Sequence, residues 1–181
     1  NSIHPTSALP AMNIGKIPAK YARLDPSREA LIDVPNDRRM TYGELDERVR
    51  RLANAFVDGL GLRKGDRVAV IAKNCIEYME VYYACARTGL VTQPINWRLG
   101  PQEMIRILAD GEPAVVIMSA EYLELQAPLQ AELSAGHWLG FGAGSDGSYE
   151  ALLSSGSDAE PAASGEVGGD DPVLILYTGG T

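Results

Sequence analysis

The stretch Arg67-Val68-Ala69-Val70-Ile71-Ala72 decides the fold of this chain. It follows a Gly65-Asp66 turn, and only small and β-branched apolar residues come after its arginine. β-Branched side chains favour strands, and a strand without polar alternation is typical of one buried on both faces. Such strands belong to parallel sheets, so this segment predicts a parallel sheet in an α/β domain.

The residues after this strand alternate between helical and extended patterns. A mostly apolar helix is predicted over 76–87, with Asn74 as its cap and Gly89 at its end. The pattern then predicts, in order, a strand over 90–95, a helix over 101–109 and a strand over 114–118. Short connections in this order give right-handed crossovers. We therefore predict an α/β fold with an open, mostly parallel sheet flanked by helices on both faces.

The residues before the central strand predict a small N-terminal hairpin and a capped helix. Residues 30–34 and 38–41 form strand patterns around the turn Pro35-Asn36-Asp37. Thr41-Tyr42-Gly43-Glu44 has the form of a capping box, in which hydroxyl and carboxylate each accept from a free backbone N–H. On the polar face of the helix that follows, we expect ion pairs between Glu44 and Arg48 and between Glu47 and Arg51.

Beyond the third strand of the sheet the pattern weakens. A helix is predicted over 121–133 and a weaker strand over 138–141. Residues 154–171 are rich in Ser, Gly, Ala and acidic residues, which predicts a flexible surface loop. Residues 173–176 then predict a last, buried strand.

That last strand runs into Tyr177-Thr178-Gly179-Gly180-Thr181. Glycines let a backbone turn sharply and bring its N–H groups near phosphate oxygens, and threonine hydroxyls add uncharged donors. The pattern is typical of a phosphate loop, although five residues also fit a plain Gly-Gly turn. No Lys or Arg follows Arg106. We therefore expect the cation that serves such a loop to lie beyond Thr181.

The composition of the 181 residues excludes several classes of protein. Hydrophobic residues make up 45% of the chain, which is enough for a core. No run approaches the roughly 20 apolar residues of a membrane span. The N-terminus lacks the order of a signal peptide, so we expect a cytosolic protein. Residues 1–11 have no periodicity and contain two prolines, which predicts a disordered leader or tag.

Residues that commonly ligate metals are few. The cysteines are Cys75 and Cys85 and the histidines are His4 and His137, and no cluster of Cys, His and acid has metal-ligand spacing. We predict no metal site within the chain. Two cysteines are too few for a disulfide framework, so we interpret both as packing residues.

Several segments together resemble the N-terminal part of the AMP-forming acyl-CoA synthetases, relatives of adenylation domains and luciferases. In chain order they are Arg23-Leu24-Asp25-Pro26, Thr41-Tyr42-Gly43-Glu44-Leu45, Gly61-Leu62-Arg63-Lys64-Gly65-Asp66-Arg67-Val68-Ala69, Ala86-Arg87-Thr88-Gly89-Leu90-Val91-Thr92-Gln93-Pro94-Ile95-Asn96 and Leu176-Tyr177-Thr178-Gly179-Gly180-Thr181. Each segment is weak alone, but their order and spacing together are specific. The resemblance covers about 12–181 and implies the N-terminal subdomain of a large adenylating domain, truncated within its phosphate loop.

The phosphate loop of that family reads Tyr-Thr-Ser-Gly-Thr-Thr-Gly, a variable residue, Pro, Lys. Here Tyr177, Thr178, Gly180 and Thr181 match, and Gly179 replaces the usual Ser. The resemblance implies that Thr178, Gly179, Gly180 and Thr181 are the first half of an ATP phosphate loop. In the family the adenine pocket, the magnesium-binding acid and the adenylating lysine come later. The resemblance therefore implies no catalytic residue and no metal ligand within this chain.

The activity that the resemblance implies is that of an ATP-dependent acid–CoA ligase with ATP, Mg²⁺ and CoA as cofactors. A carboxylic acid attacks the α-phosphate of ATP to give an acyl-adenylate, and the thiol of CoA then displaces AMP. The chain resembles the fatty-acid branch of the family most, which implies a fatty acid as the substrate. The 181 residues alone should neither adenylate an acid nor bind ATP tightly. The reason is that the stretch after Arg106 carries acidic residues only, which repel a triphosphate.

Other interpretations stay open on sequence alone. An adenylation enzyme that loads an amino or aryl acid onto a carrier protein shares the same motifs, and a non-catalytic α/β binding or assembly module shares the fold. We expect small-molecule partners and no nucleic acid. Arginines around Arg48 allow a membrane-surface contact, but interleaved acids favour internal ion pairs instead. Exposed apolar surface on the last strand favours self-association.

Overall fold

The structure is a computed structural model and describes residues 12–178. The predicted leader, residues 1–11, and the loop residues Gly179, Gly180 and Thr181 lie outside the described residues. The helices are α1 (Ile17–Leu24), α2 (Tyr42–Asn54), α3 (Ile76–Thr88), α4 (Pro101–Gly111), α5 (Gln126–Glu132) and α6 (Ser148–Ser155). The strands are β1 (Glu29–Asp33), β2 (Arg38–Thr41), β3 (Arg67–Ile71), β4 (Val91–Ile95), β5 (Val115–Ser119) and β6 (His137–Phe141).

The four later strands form one parallel sheet in the order β4-β3-β5-β6. The first of them in the chain, β3, lies inside the sheet, with β4 on one side and β5 on the other. From β3 the chain adds β4 on one side, and it then adds β5 and β6 on the other side of β3. The order in which strands are added to the sheet therefore reverses at the position between β3 and β5. This arrangement confirms the predicted open parallel sheet.

Alternate residues of the central strand supply two cores on opposite faces of the sheet. Val68 and Val70 pack in the larger core with residues of α2, α3 and α6. Ala69 and Ile71 pack in the second core with residues of α4 and α5. Both faces of the sheet are thus covered by helices, as the continuous apolar pattern of β3 predicts. Within residues 12–178, no helix is long and apolar enough to cross a bilayer.

The N-terminal hairpin and its helix cap are both present. β1 pairs with β2 in antiparallel orientation. Thr41 and Glu44 form the predicted capping box, with the Glu44 carboxylate accepting from the Thr41 N–H at 2.8 Å. This capping role occupies Glu44, so the predicted pair between Glu44 and Arg48 is wrong, whereas Glu47 and Arg51 pair as predicted at 3.0 Å.

The start of α3 differs from the prediction. Its N-cap is Cys75 and not Asn74, and neither side chain accepts a capping hydrogen bond there. Gly89 ends the helix in the left-handed conformation, as predicted. Cys75 and Cys85 are both free, and burial raises the pKa of each thiol to about 12. Both therefore stay protonated near neutral pH, which fits packing residues.

The second half of the chain departs most from the sequence pattern. The helix predicted over 121–133 is a 3₁₀-helix, Ala120–Leu125, followed by α5. Helix α6 was not predicted from the sequence, although Tyr149 and Leu153 on it are buried. The predicted flexible loop over 154–171 contains the end of α6 and a 3₁₀-helix, Ala162–Glu166. Ser164 in this segment is buried, and the Asn54 side chain on α2 donates to the carbonyls of Ser157 and Ala159. The prediction of a flexible surface loop is therefore wrong.

The first described turn packs tightly against the end of α3. Gly15, in the 3₁₀-helix Ile14–Lys16, lies so close that an added Cβ would be 2.1 Å from the Arg87 backbone nitrogen. The Asn13 side chain fixes this approach, because its amide donates to the Arg87 carbonyl at 3.1 Å and its oxygen accepts from the Gly15 N–H at 2.9 Å. Only glycine fits at this position.

Replacing this glycine should destabilise the chain. We expect Gly15→Ala to lower the free energy of unfolding by about 1–3 kcal/mol, because two backbone segments must separate. Gly165→Ala is the matched control, since Gly165 also lies in a 3₁₀-helix and has no atom within 4 Å of its added Cβ. Urea unfolding of both variants measures the difference, and equal stability of the two would contradict the described packing.

Candidate functional site

The carboxyl ends of the parallel strands place four connecting segments along one edge of the sheet. These segments begin at Ala72 after β3, Asn96 after β4, Ala120 after β5 and Gly142 after β6. In open α/β sheets, ligands bind in the crevice outside the carboxyl ends, where the chain reverses direction across the sheet. Here that position lies between β3 and β5.

A cavity of about 510 Å³ opens at this position. Lys73 and Asn74 after β3, Ser119 and Glu121 around the end of β5, and Phe141 at the end of β6 are among its lining residues. The Ser119 hydroxyl is buried and has no hydrogen-bond partner within residues 12–178. The carboxyl edge therefore presents polar groups in a concave surface of the size that small-molecule sites have.

Arg38 lines the same cavity but is committed to carboxylates. Its guanidinium donates to the two Glu77 oxygens at 2.6 and 2.7 Å and to Asp33 at 3.2 Å. Burial acts to raise the pKa of Glu77, but the hydrogen bonds and charge of Arg38, together with backbone and Cys75 hydrogen bonds, lower that pKa. This triad joins the hairpin to α3 and contributes no net free cation to the cavity.

Aromatic and cationic side chains meet beside this cavity. The Trp97 ring lies 4.6 Å from the Arg98 guanidinium carbon and 5.1 Å from the Lys73 nitrogen. The Tyr122 ring packs against the Trp97 ring, with the two ring centroids 6.2 Å apart. Lys73 also pairs with Glu121. The segments after β3, β4 and β5 are thus in direct contact at the carboxyl edge.

The chain approaches its phosphate-loop residues along the outer side of β4. The Thr92 N–H donates to the Val173 carbonyl at 3.1 Å, and the Ile175 N–H donates to the Thr92 carbonyl at 3.0 Å. These bonds form a single parallel bridge between Thr92 and Leu174, not the predicted buried strand, and Leu176 is 64% exposed. That exposed leucine supports the predicted self-association, which stays a prediction.

Tyr177 and Thr178 then lie against α4. The Tyr177 hydroxyl donates to Asp110 at 2.6 Å. Burial and this hydrogen bond raise the pKa of Tyr177 to about 12, so it remains a donor near neutral pH. A cavity of about 260 Å³, which we call the loop-side cavity, lies next to them, lined by Asn96, Leu99, Glu103, Arg106, Ile107, Tyr177 and Thr178.

Arg106 is the residue that sequence reasoning missed at this place. It precedes Thr178 by 72 positions, and from the sequence the cation of the loop is expected beyond Thr181. The structure places Arg106 in the loop-side cavity with Thr178, and the expectation of a cation beyond Thr181 stays a prediction. Of the four predicted phosphate-loop residues, only Thr178 is among the described residues, and its role there stays a prediction.

A buried ion network holds the segment that leads to this loop. Arg87, on α3, is 1% exposed and donates to Asp46 on α2 at 2.7 Å and to Glu160 at 2.5 Å. Glu160 follows α6, and Ser164 donates to it at 2.8 Å. We call Arg87, Asp46 and Glu160 the Arg87 clamp. It fastens the polar stretch after α6 to two helices of the larger core.

The other basic residues of the N-terminal half are mostly paired as well. Arg48 bonds to Glu80 at 2.5 Å and to Glu150 at 2.6 Å, and the Tyr149 hydroxyl donates to Glu80 at 2.7 Å. Further pairs join Arg39 to Glu29, Arg50 to Asp46 and Lys64 to Asp171. The arginines for which the sequence allowed a membrane-surface contact thus form internal ion pairs in the structure. Within residues 12–178, no group of three or more His, Cys, Asp or Glu is placed to hold a metal ion.

A parallel sheet with Tyr177 and Thr178 held beside β4 and α4 at its carboxyl edge is typical of α/β proteins that bind nucleotides. The chain belongs to the AMP-binding enzyme family, whose model matches residues 19–181. This match confirms the resemblance stated from the sequence.

Particular relatives place the chain more closely. It is 36% identical over 169 residues to a long-chain-fatty-acid–CoA ligase, FadD13, of Mycobacterium tuberculosis, covering 93% of this chain and 33% of the relative. It is also 36% identical over 168 residues to a feruloyl-CoA synthase of an Amycolatopsis species, covering 93% and 31%. The chain thus spans about a third of the length of these relatives.

A solved structure agrees with the fold. The inhibitor-bound N-terminal domain of FACL13 from Mycobacterium tuberculosis superposes with a TM-score of 0.82 at 34% identity. The superposition covers 93% of this chain and 42% of that one. The architecture described above is therefore that of the N-terminal part of such enzymes.

The Arg87 clamp predicts a specific dependence of stability on pH. Partial burial acts to raise the pKa of Glu160, but hydrogen bonds from Arg87 and Ser164 outweigh it and lower the pKa below its ordinary 4.5. The charged carboxylate therefore stabilises the fold above pH 4.5, and this contribution is lost as the pH falls through the lowered pKa.

Glu160→Gln tests this dependence. Because Glu160 is half exposed, we expect the variant to lose about 1 kcal/mol of unfolding free energy at neutral pH. The difference from the parent chain should shrink as the pH falls below 4.5. Glu124→Gln, at an exposed carboxylate without an ion pair among residues 12–178, is the control and should match the parent throughout. A Glu160→Gln difference that does not change with pH would refute the role of this carboxylate.

Proposed function

We propose that this chain is the N-terminal part of an ATP-dependent acid–CoA ligase that activates a carboxylic acid, a fatty acid in the first instance, as an acyl-adenylate. The observation that carries the proposal is the placement of Thr178 at the start of a glycine-rich loop, beside β4 and α4 of a parallel sheet. Membership of the AMP-binding enzyme family supports it. The same proposal includes a cytosolic location.

The proposed reaction has two steps. A carboxylate oxygen of the acid attacks the α-phosphorus of ATP, the bond to the β-phosphate oxygen breaks, and acyl-adenylate and pyrophosphate form. The thiol of CoA then attacks the acyl carbonyl, loses its proton, and displaces AMP to give the thioester. Phosphoryl transfer of this kind depends on positioning and charge neutralisation more than on a protein nucleophile.

The described residues fit a supporting part in this chemistry. The Thr178 hydroxyl and the amides of the predicted loop Thr178, Gly179, Gly180 and Thr181 are donors suited to phosphate oxygens. Mg²⁺, when bound, would neutralise charge on the triphosphate. We propose no protein ligand for this ion within residues 12–178. The Arg87 clamp and the bridge to Thr92 hold the segment that leads to Thr178 beside the sheet edge.

Isotope exchange with the complete enzyme tests the proposal. We expect exchange of labelled pyrophosphate into ATP that depends on an added acid, with long-chain fatty acids compared against aromatic acids. Addition of CoA should then release AMP and form a thioester, whereas a phosphopantetheinylated carrier protein should not replace CoA. Exchange that is absent with every acid would contradict an adenylating function, and transfer to the carrier protein alone would favour the carrier-loading alternative.

The 181-residue chain itself should behave differently from the complete enzyme. We expect no saturable ATP binding in the micromolar range by calorimetry, because the acidic residues after Arg106 oppose a triphosphate. Micromolar affinity would show that these residues already contain the main ATP contacts.

A further inference from the structure

The loop-side cavity contains ionisable groups of both signs, and their partners differ. The Glu103 carboxylate accepts from the Gly100 N–H at 3.0 Å and so caps the start of α4. The Asp110 carboxylate, one helical turn beyond Arg106, accepts from the Tyr177 hydroxyl at 2.6 Å. Both acids that lie about one helical turn from Arg106 on α4 therefore have a hydrogen-bond donor of their own.

Arg106 has no such partner. Within residues 12–178, no carboxylate lies at ion-pair distance from its guanidinium, and its side chain is exposed at the mouth of the cavity. The nearby basic residues Arg67 and Lys73 are instead occupied, since Arg67 donates to the carbonyls of Gly111 and Glu112 and Lys73 pairs with Glu121. Arg106 thus offers up to five uncommitted N–H donors beside Thr178.

We infer that Arg106 and Thr178 form an anion subsite that takes a phosphate oxyanion of a polyphosphate. A planar guanidinium donates two parallel hydrogen bonds to phosphate, and the Thr178 hydroxyl adds a donor without charge. This inference rests on the proposed function, because it identifies a residue that helps to neutralise the ligand of the same loop. It assigns a cation beside Thr178 to this chain.

The neighbouring acids set the strength of this subsite. Glu103 lines the cavity and Asp110 bonds to Tyr177 beside it, so acidic residues surround Arg106 and the cavity is not strongly positive overall. We therefore expect millimolar affinity for a polyphosphate in the 181-residue chain, consistent with the absence of micromolar ATP binding. Added salt should weaken the interaction, because Arg106 is exposed.

A titration with inorganic tripolyphosphate tests the subsite directly. The ¹⁵N-labelled chain is titrated at low ionic strength, and the signals of the Arg106 side chain and the Thr178 amide are followed. We expect saturable shifts at both positions. Arg106→Gln should bind about tenfold more weakly, because a charge-assisted hydrogen bond is lost, and Arg106→Lys should lose less.

The matched control is Arg23→Gln. Arg23 lies on α1, is exposed, and has no ion pair within residues 12–178, so this variant makes the same change in net charge away from the cavity. It should bind tripolyphosphate as the parent chain does. The inference is overturned if the parent shows no saturable shift at Arg106 and Thr178, if Arg106→Gln binds equally well, or if both variants weaken alike.

A second measurement separates this inference from the proposed function. In the complete enzyme, acid-dependent pyrophosphate exchange tests the ligase activity whatever Arg106 does. If exchange is present and Arg106→Gln leaves the KM for ATP unchanged, the subsite is refuted and the ligase proposal stands. If exchange is absent but the titration result holds, the subsite stands as an anion site and the ligase proposal fails.

Discussion

The rest of this structure depends on the ion pairs that the Arg87 guanidinium makes with Asp46 and Glu160. Arg87 is 1% exposed, and a charge at that depth is tolerated only when it is paired and hydrogen-bonded. Its partners come from α2 and from the segment after α6, so one side chain joins three parts of the chain that are far apart in sequence. The same residue meets the N-terminal turn through its backbone, where Asn13 and Gly15 approach it. Removing the charge would leave the buried Asp46 carboxylate with Arg50 as its remaining partner, and breaking a buried network on one side is costly.

This constraint connects the core to the candidate site. The clamp fixes Glu160, from which the chain runs through the 3₁₀-helix Ala162–Glu166 and the Lys64–Asp171 ion pair to the bridge at Thr92. From there Tyr177 docks on Asp110, and Thr178 faces the loop-side cavity. The positions of Tyr177 and Thr178 are thus set by a series of contacts along the chain, not by a long strand of the sheet. Such anchoring suits a ligand site, because its donors must be held in place before the ligand arrives.

How much of this could be predicted from sequence follows from the range of the interactions involved. The run of apolar residues in β3 and the Thr41–Glu44 capping box are local signals, and both predict the structure correctly. The stretch after α6 gives the opposite result, because its polar composition indicates flexibility while its order comes from Arg87, Asn54 and Lys64 over 73 to 105 positions of chain. The short α6 has only two fully buried side chains and no strong periodicity to reveal it. Arg106 gave no signal at all, because its place beside Thr178 depends on how α4 packs against the end of the chain.

Amide hydrogen exchange at Ile175 in an Arg87→Met variant tests the central claim most directly. The Ile175 N–H donates to the Thr92 carbonyl and reports the bridge that leads to the loop, while the Val70 N–H in the buried central strand reports global opening. If the clamp sets the path of the chain, exchange at Ile175 should accelerate by about tenfold or more beyond any change at Val70. Unchanged exchange at Ile175, or equal acceleration at both amides, would contradict the account.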